Sequence, residues 1–159
     1  MTTLHPLTPL QRRAALPTAG LALSTDQVAL RKLPRAAALA GLAAAAGNLA
    51  VFGLARGLLN LPLVMPPVGP LPGGPLPAFQ VIVASLGAVL GAALVLALLG
   101  RLTARPVLAF QVMAGAFLVA SLIGPLRQPV DLATKLTLLS MHLVTGLVVT
   151  AVLSSLAKE

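Results

Sequence analysis

One ionisable side chain sits well inside an apolar run: His142, the seventh residue of LTLLSMHLVTGLVVTAVLSSL, Leu136 to Leu156. Hydrocarbon penalises such groups, so an ionisable residue at membrane depth is a functional candidate by default, as a proton relay, a ligand contact or a cofactor contact. At helical spacing Lys135, His142, Thr145, Gly146 and Val149 share a face. Two amides lie at comparable depth in other runs, Asn48 and Gln111. An amide in lipid needs a partner on a neighbouring helix, so Asn48, Gln111, His142 and Thr145 form a candidate intramembrane polar cluster. The structural alternative is that a neutral imidazole hydrogen-bonds Asn48, Gln111 or a backbone carbonyl and locks the helices together.

Other chemistries lack their parts. The acids are Asp26, Asp131 and Glu159, and none falls inside an apolar run. Paired-carboxylate catalysis and carboxylate-coupled transport therefore have no central group. Two histidines without a single cysteine cannot make an ordinary zinc site, and disulfides and thiolate catalysis are excluded with it. HExxH, GxSxG, the P-loop and GxGxxG are all missing. We expect no catalytic residue, no metal, no cofactor and no enzyme.

The elements that must carry the polar residues are membrane helices. Phe79 to Gly100 runs for 22 residues without a charge or a proline, and about 20 apolar residues cross the hydrocarbon as a helix. With 58% hydrophobic and 9% charged residues and a mean hydropathy of +1.00, the chain has too little polar surface for a soluble globule. Four spans are expected at about 36–54, 79–100, 107–123 and 136–156, forming an all-α integral membrane protein, a four-helix transmembrane bundle. The first span is alanine-rich and the weakest inserter; Gly41, Ala44, Ala45, Phe52 and Ala55 fall beside Asn48 on an inward small-residue face. Pro106 suits the first position of the third helix, and Gly124-Pro125 should end it. If the fourth helix begins at Pro129, Asp131 falls in its first turn and pairs with Lys135.

Outside the spans the chain is basic or proline-rich. Residues 1–35 carry Arg12, Arg13, Arg31, Lys32 and Arg35 against Asp26 alone, which reads as a basic flexible tail. The alternative is a surface helix from Thr25 to Leu33, capped through Ser24-Thr25-Asp26-Gln27. Half of the fourteen prolines lie between Asn60 and Pro77, so the outer loop 57–78 should be extended, resting at the interface or capping the bundle; its functional version is a lid over a cavity. Eight basic residues on one side (Arg12, Arg13, Arg31, Lys32, Arg35, Arg101, Arg105, Lys158) face three on the other (Arg56, Arg127, Lys135), which places both termini in the cytoplasm. The net charge of +8 is explained by this asymmetry, and no nucleic-acid partner is expected. Abundant Ala, Gly, Pro and Arg suit a GC-rich genome and hence a bacterial plasma membrane.

Small residues supply the packing devices. Gly87 and Gly91 form GxxxG in the second span, and Ala116, Ala120 and Gly124 repeat the spacing in the third. Packing within the bundle is the first expectation, contact with a second copy the other. On the first, Gly91→Leu weakens the fold.

From Val81 to Leu153 the sequence resembles a family of small bacterial four-span membrane proteins catalogued as a domain of unknown function. The resemblance rests on SLGAVLGAALVLALLGR, on SLIGPL from Ser121 to Leu126, and on ATKLTLLSMHLV from Ala133 to Val144 with its Met141-His142 pair. It covers about half of the chain, leaves out the basic N-terminus and the proline-rich loop, and implies four spans but no activity.

Two functions follow. One is a non-enzymatic accessory or structural protein acting through helix contacts, in the bilayer, with a second copy or a membrane-protein partner. The other is a small transporter or binder of a lipophilic or protonatable ligand, held in a cavity lined by Asn48, Gln111 and His142. A solidly packed bundle favours the first, an open polar cavity the second.

Overall fold

The computed structural model describes residues 26–67 and 72–158; the expectations for Arg12, Arg13, the Ser24-Thr25 half of the capping box and Glu159 lie outside them. Four helices are long and apolar enough to cross a membrane, so this is a multi-pass membrane architecture. They are α1 (Leu33–Gly53, continued by a π-helical turn Leu54–Leu58), α2 (Ala78–Leu102), α3 (Pro106–Arg127) and α4 (Leu132–Leu156). Large apolar side chains also coat the outside, among them Leu42, Leu90, Leu94, Phe117 and Val119. A helix that is apolar outward as well as inward faces lipid.

α1 is the central strut, packed against α4 on one side and α2 on the other, while α3 leans on α4 and meets α2 more loosely. Its alanines explain this place. Ala36, Ala40, Ala44 and Asn48 recur every fourth residue and are buried, and side chains this small let helix axes approach closely. A Cβ added at Gly47 would meet Val144 Cγ1 at 2.8 Å, and one at Gly146 would meet Leu118 Cδ1 at 2.6 Å, so these two glycines set the α1–α4 and α3–α4 spacings. The main core joins Leu33, Ala36, Ala40 and Ala44 to Val89, Leu96, Phe110, Val149 and Leu153.

The ends differ from the sequence expectations at several places. α1 begins at Leu33, with Pro34 in its first turn, where a missing N–H costs nothing. α4 starts at Leu132, between the helix start considered at Pro129 and the apolar span at Leu136, because Asp131 stands as its cap and not in its first turn: its carboxylate accepts from Thr134 N at 2.9 Å and Thr134 Oγ1 at 2.6 Å. The carboxylate is therefore engaged by Thr134 in place of the expected Lys135 pair. α3 does not stop at Gly124-Pro125 but runs to Arg127, with Pro125 buried in the last turn. Only one further turn follows the proline, and Gln128 N closes it on Pro125 O at 3.3 Å.

Residues 26–32 form neither a free tail nor a surface helix. Val28 pairs with Lys158, Ala29 N donates to Ala157 O at 2.8 Å, and Lys32 Nζ donates to Lys158 O at 2.9 Å. Asp26 Oδ2 accepts from Leu108 N at 3.0 Å, so it caps the start of α3 from across the bundle end. Among the described residues of the proline-rich loop, Val64–Met65 (β1) and Gly74–Pro75 (β2) form a minimal antiparallel pair. Its flanking Leu63 and Leu76 are buried against Ala55, Val81 and Met141, which plugs this end of the bundle. Arg56 adds a long hydrogen bond to Leu76 O, 3.5 Å, and lies 5.8 Å above the Phe52 ring. Leu63 has φ 44°, a left-handed backbone that a bulky residue adopts only when its surroundings enforce it, and here the side chain is fully buried.

Candidate functional site

Because α2 and α3 splay, a lateral groove of about 710 Å³ opens between them, with α4 and the middle of α1 as its floor. On α2 the lining residues run from Gln80 to Val95, about 22 Å of helix, against a hydrocarbon core of about 30 Å. The wall there is a flat strip of Ala84, Gly87, Ala88, Gly91 and Ala92; the opposite wall is Met113, Phe117 and Leu118 of α3. Met65 and Leu76 of the proline-rich hairpin close one end.

Polar groups gather on the floor. Asn48 is buried, and its Nδ2 donates to Ser85 Oγ at 2.8 Å and to Thr145 Oγ1 at 2.7 Å, tying α1 to α2 and α4. Ser85 Oγ in turn donates to Val81 O at 2.7 Å. Asn48 Oδ1 is buried with no hydrogen-bond partner among the described residues. His142 lines the groove one turn from Thr145, and its Nδ1 lies 2.8 Å from Leu138 O in its own helix.

The expected polar cluster is therefore present in part. Asn48, Thr145 and His142 meet at the groove, but the imidazole bonds to its own helix and not to Asn48 or Gln111. Gln111 is exposed on α3 and lies outside the groove: the lining there is Phe110, Met113, Ala114 and Phe117, and residue 111 falls on another face of the helix. Ser85 is the partner the sequence reading missed. It lies on the bundle-facing side of α2 with Val81 and Val89, and Ser in a span is a known partner for hydrogen bonds between helices. Its own back-bond to Val81 makes it look locally satisfied, which hides its part between helices.

The packing residues fall differently again. Gly87, Gly91 and Gly124 have open space where a Cβ would stand, and Ala116 and Ala120 are exposed, so none of the five sits in a helix contact among the described residues. Gly87 and Gly91 line the groove. The reason is the splay of α2 from α3: the GxxxG strip faces the gap while the other side of α2, with Val81, Ser85, Val89 and Leu96, faces the bundle.

A cavity of this size, mostly apolar with a few convergent polar groups, has the make-up of a small-molecule site. Among the described residues its lining holds no carboxylate, and His142 is the one titratable group there. No curated protein and no solved structure matches the chain. The family of unknown function DUF6069 matches over residues 28–159, a stretch that takes in the segment paired with the C-terminus and the proline-rich hairpin as well as all four helices. On that match, covering most of its length, the chain belongs to the DUF6069 family.

Proposed function

We propose that this chain is a non-enzymatic binder of lipophilic molecules, which enter the groove sideways from the bilayer and rest against the Asn48–Thr145–His142 floor. The observation that carries this reading is the groove itself: about 710 Å³, open between α2 and α3, mostly apolar in its lining, with Asn48, Thr145 and His142 gathered on its floor. We place it in a bacterial plasma membrane with both termini cytoplasmic. The described ends support that orientation, with Arg31, Lys32, Arg35, Arg101, Arg105 and Lys158 at one end and Arg56, Arg127 and Lys135 at the other.

The test is photolabelling of the full chain in phosphatidylcholine vesicles with a hexadecane that carries a diazirine in its chain. Labelling concentrated on groove residues such as Met113 and Met141, and reduced severalfold by Gly87→Leu with Gly91→Leu, supports the reading. Labelling spread evenly over lipid-facing residues such as Leu90 and Leu94 overturns it.

A second reading has its own observation. Open GxxxG strips are also seats for a helix, because glycines let a second backbone approach closely. On that reading the groove holds a helix of a second copy or of a membrane-protein partner, and the protein is an accessory subunit. Crosslinks between Gly87→Cys chains in vesicles at low protein density would favour it over ligand binding.

A further inference from the structure

The floor of the groove is unbalanced in donors and acceptors. The Leu138 carbonyl can only accept, so the nitrogen 2.8 Å from it, His142 Nδ1, carries the proton of the neutral ring, and Nε2 is left as a bare acceptor. Nε2 makes no hydrogen bond among the described residues. Asn48 commits its amide hydrogens to Ser85 and Thr145, and its Oδ1 is buried without a donor. Ser85 gives its hydroxyl hydrogen to Val81. At this level the unused capacity is two acceptors, with the Thr145 hydroxyl hydrogen as the one remaining donor. Asn48 Oδ1 is buried and the ring of His142 half-buried at the groove, and polar groups left unpaired at membrane depth are costly because no water comes to satisfy them.

Resting on the ligand-groove reading, we infer that the molecule the groove takes is a neutral single-chain amphiphile whose head is a hydroxyl, its O–H donated to His142 Nε2. The chain lies along the Ala84–Ala92 strip, where the missing side chains leave room for it. An ether or ester head brings acceptors only and cannot answer a bare acceptor. A carboxylate adds charge and acceptors to a floor that has no Lys or Arg among its described lining residues. An ammonium could donate but carries its charge into hydrocarbon.

Three diazirine probes with the same hexadecyl chain separate these classes: the alcohol, its methyl ether and the acid. With the full chain in phosphatidylcholine vesicles, the alcohol should label Met113 and Met141 about three- to tenfold more than the ether, as one hydrogen bond implies. His142→Leu should bring that ratio to about one with the melting point unchanged, because the bond it deletes lies within one helix. His142→Gln, whose amide oxygen accepts, should keep the preference. Equal groove labelling by alcohol and ether overturns the hydroxyl inference and leaves a groove that binds by shape alone. Preferential labelling by the acid overturns it too. Loss of groove labelling for every probe overturns the ligand reading itself.

Discussion

Asn48 joins three helices through one amide, at a depth where the bilayer offers no competing water. Asn48→Leu removes two interhelical hydrogen bonds and should cost about 1 to 3 kcal/mol, from about 0.6 to 1.7 for each bond in a membrane. The measurement is a shift of the unfolding midpoint in detergent, and a midpoint equal to wild type would show that the amide is not seated between helices. Asp131 acts at the surface. The Thr134 hydroxyl, then the Thr134 amide, hold its carboxyl below its usual value of 3.8. A carboxyl lowered in the folded state adds stability above its unfolded-state value, and loses that contribution as pH falls through the folded value. Wild type should therefore lose a little stability below about pH 4 relative to Asp131→Asn, which can still cap the helix but has no proton to gain. Melting curves of the two proteins that run parallel from pH 7 to pH 3 would refute this.

Within the helices, glycine spacing predicts contact only where a neighbour arrives. Gly91→Leu, which the GxxxG pattern marks as damaging, faces open groove and should leave thermal stability near wild type while filling the cavity. Gly146→Leu drives a side chain into Leu118 and should lower the midpoint by several degrees, an overpacking cost of about 1 to 3 kcal/mol. Comparing the two variants in one melting experiment tests the placement of both glycines, and a reversed order would mean that α2 and α3 close on each other in the bilayer. The proline-rich hairpin behaves as a plug rather than a surface loop. Leu63→Asp with Leu76→Asp should release it, exposing Met65 to protease added from outside and opening that end of the groove. Protection equal to wild type would show that the two leucines do not anchor it.

The molecule as a whole has one closed end and one strapped end. The strap, residues 26–32, ties the C-terminus and the start of α3 to α1, so charges from four parts of the chain, Arg31, Lys32, Arg101, Arg105 and Lys158, collect on a single face. Cytoplasmic retention of that face is the expected outcome. Reporter fusions at Gly73, at Thr103, near Gln128 and at the C-terminus should read out, in, out, in. A cytoplasmic signal at Gly73 would mean that α1 fails to insert or that the orientation is reversed.

How many times the chain crosses, and roughly where, was legible in composition and run length, because insertion depends on summed apolar transfer and little on neighbours. The inward face of the first span could also be read, since small residues and one amide recur at helical spacing on it. Which small faces meet could not. Ala40, Gly47 and Gly146 are packed while Gly87, Gly91 and Gly124 are open, yet all are small residues within similarly apolar runs. In lipid both faces of a helix are apolar, so sequence has no hydrophobic contrast to mark the packed side, and contact is settled by the angle at which four helices cross. For the same reason Gln111 looked like a core amide and proved exposed, Ser85 was overlooked, and the groove appeared only once α2 and α3 had been set apart in space.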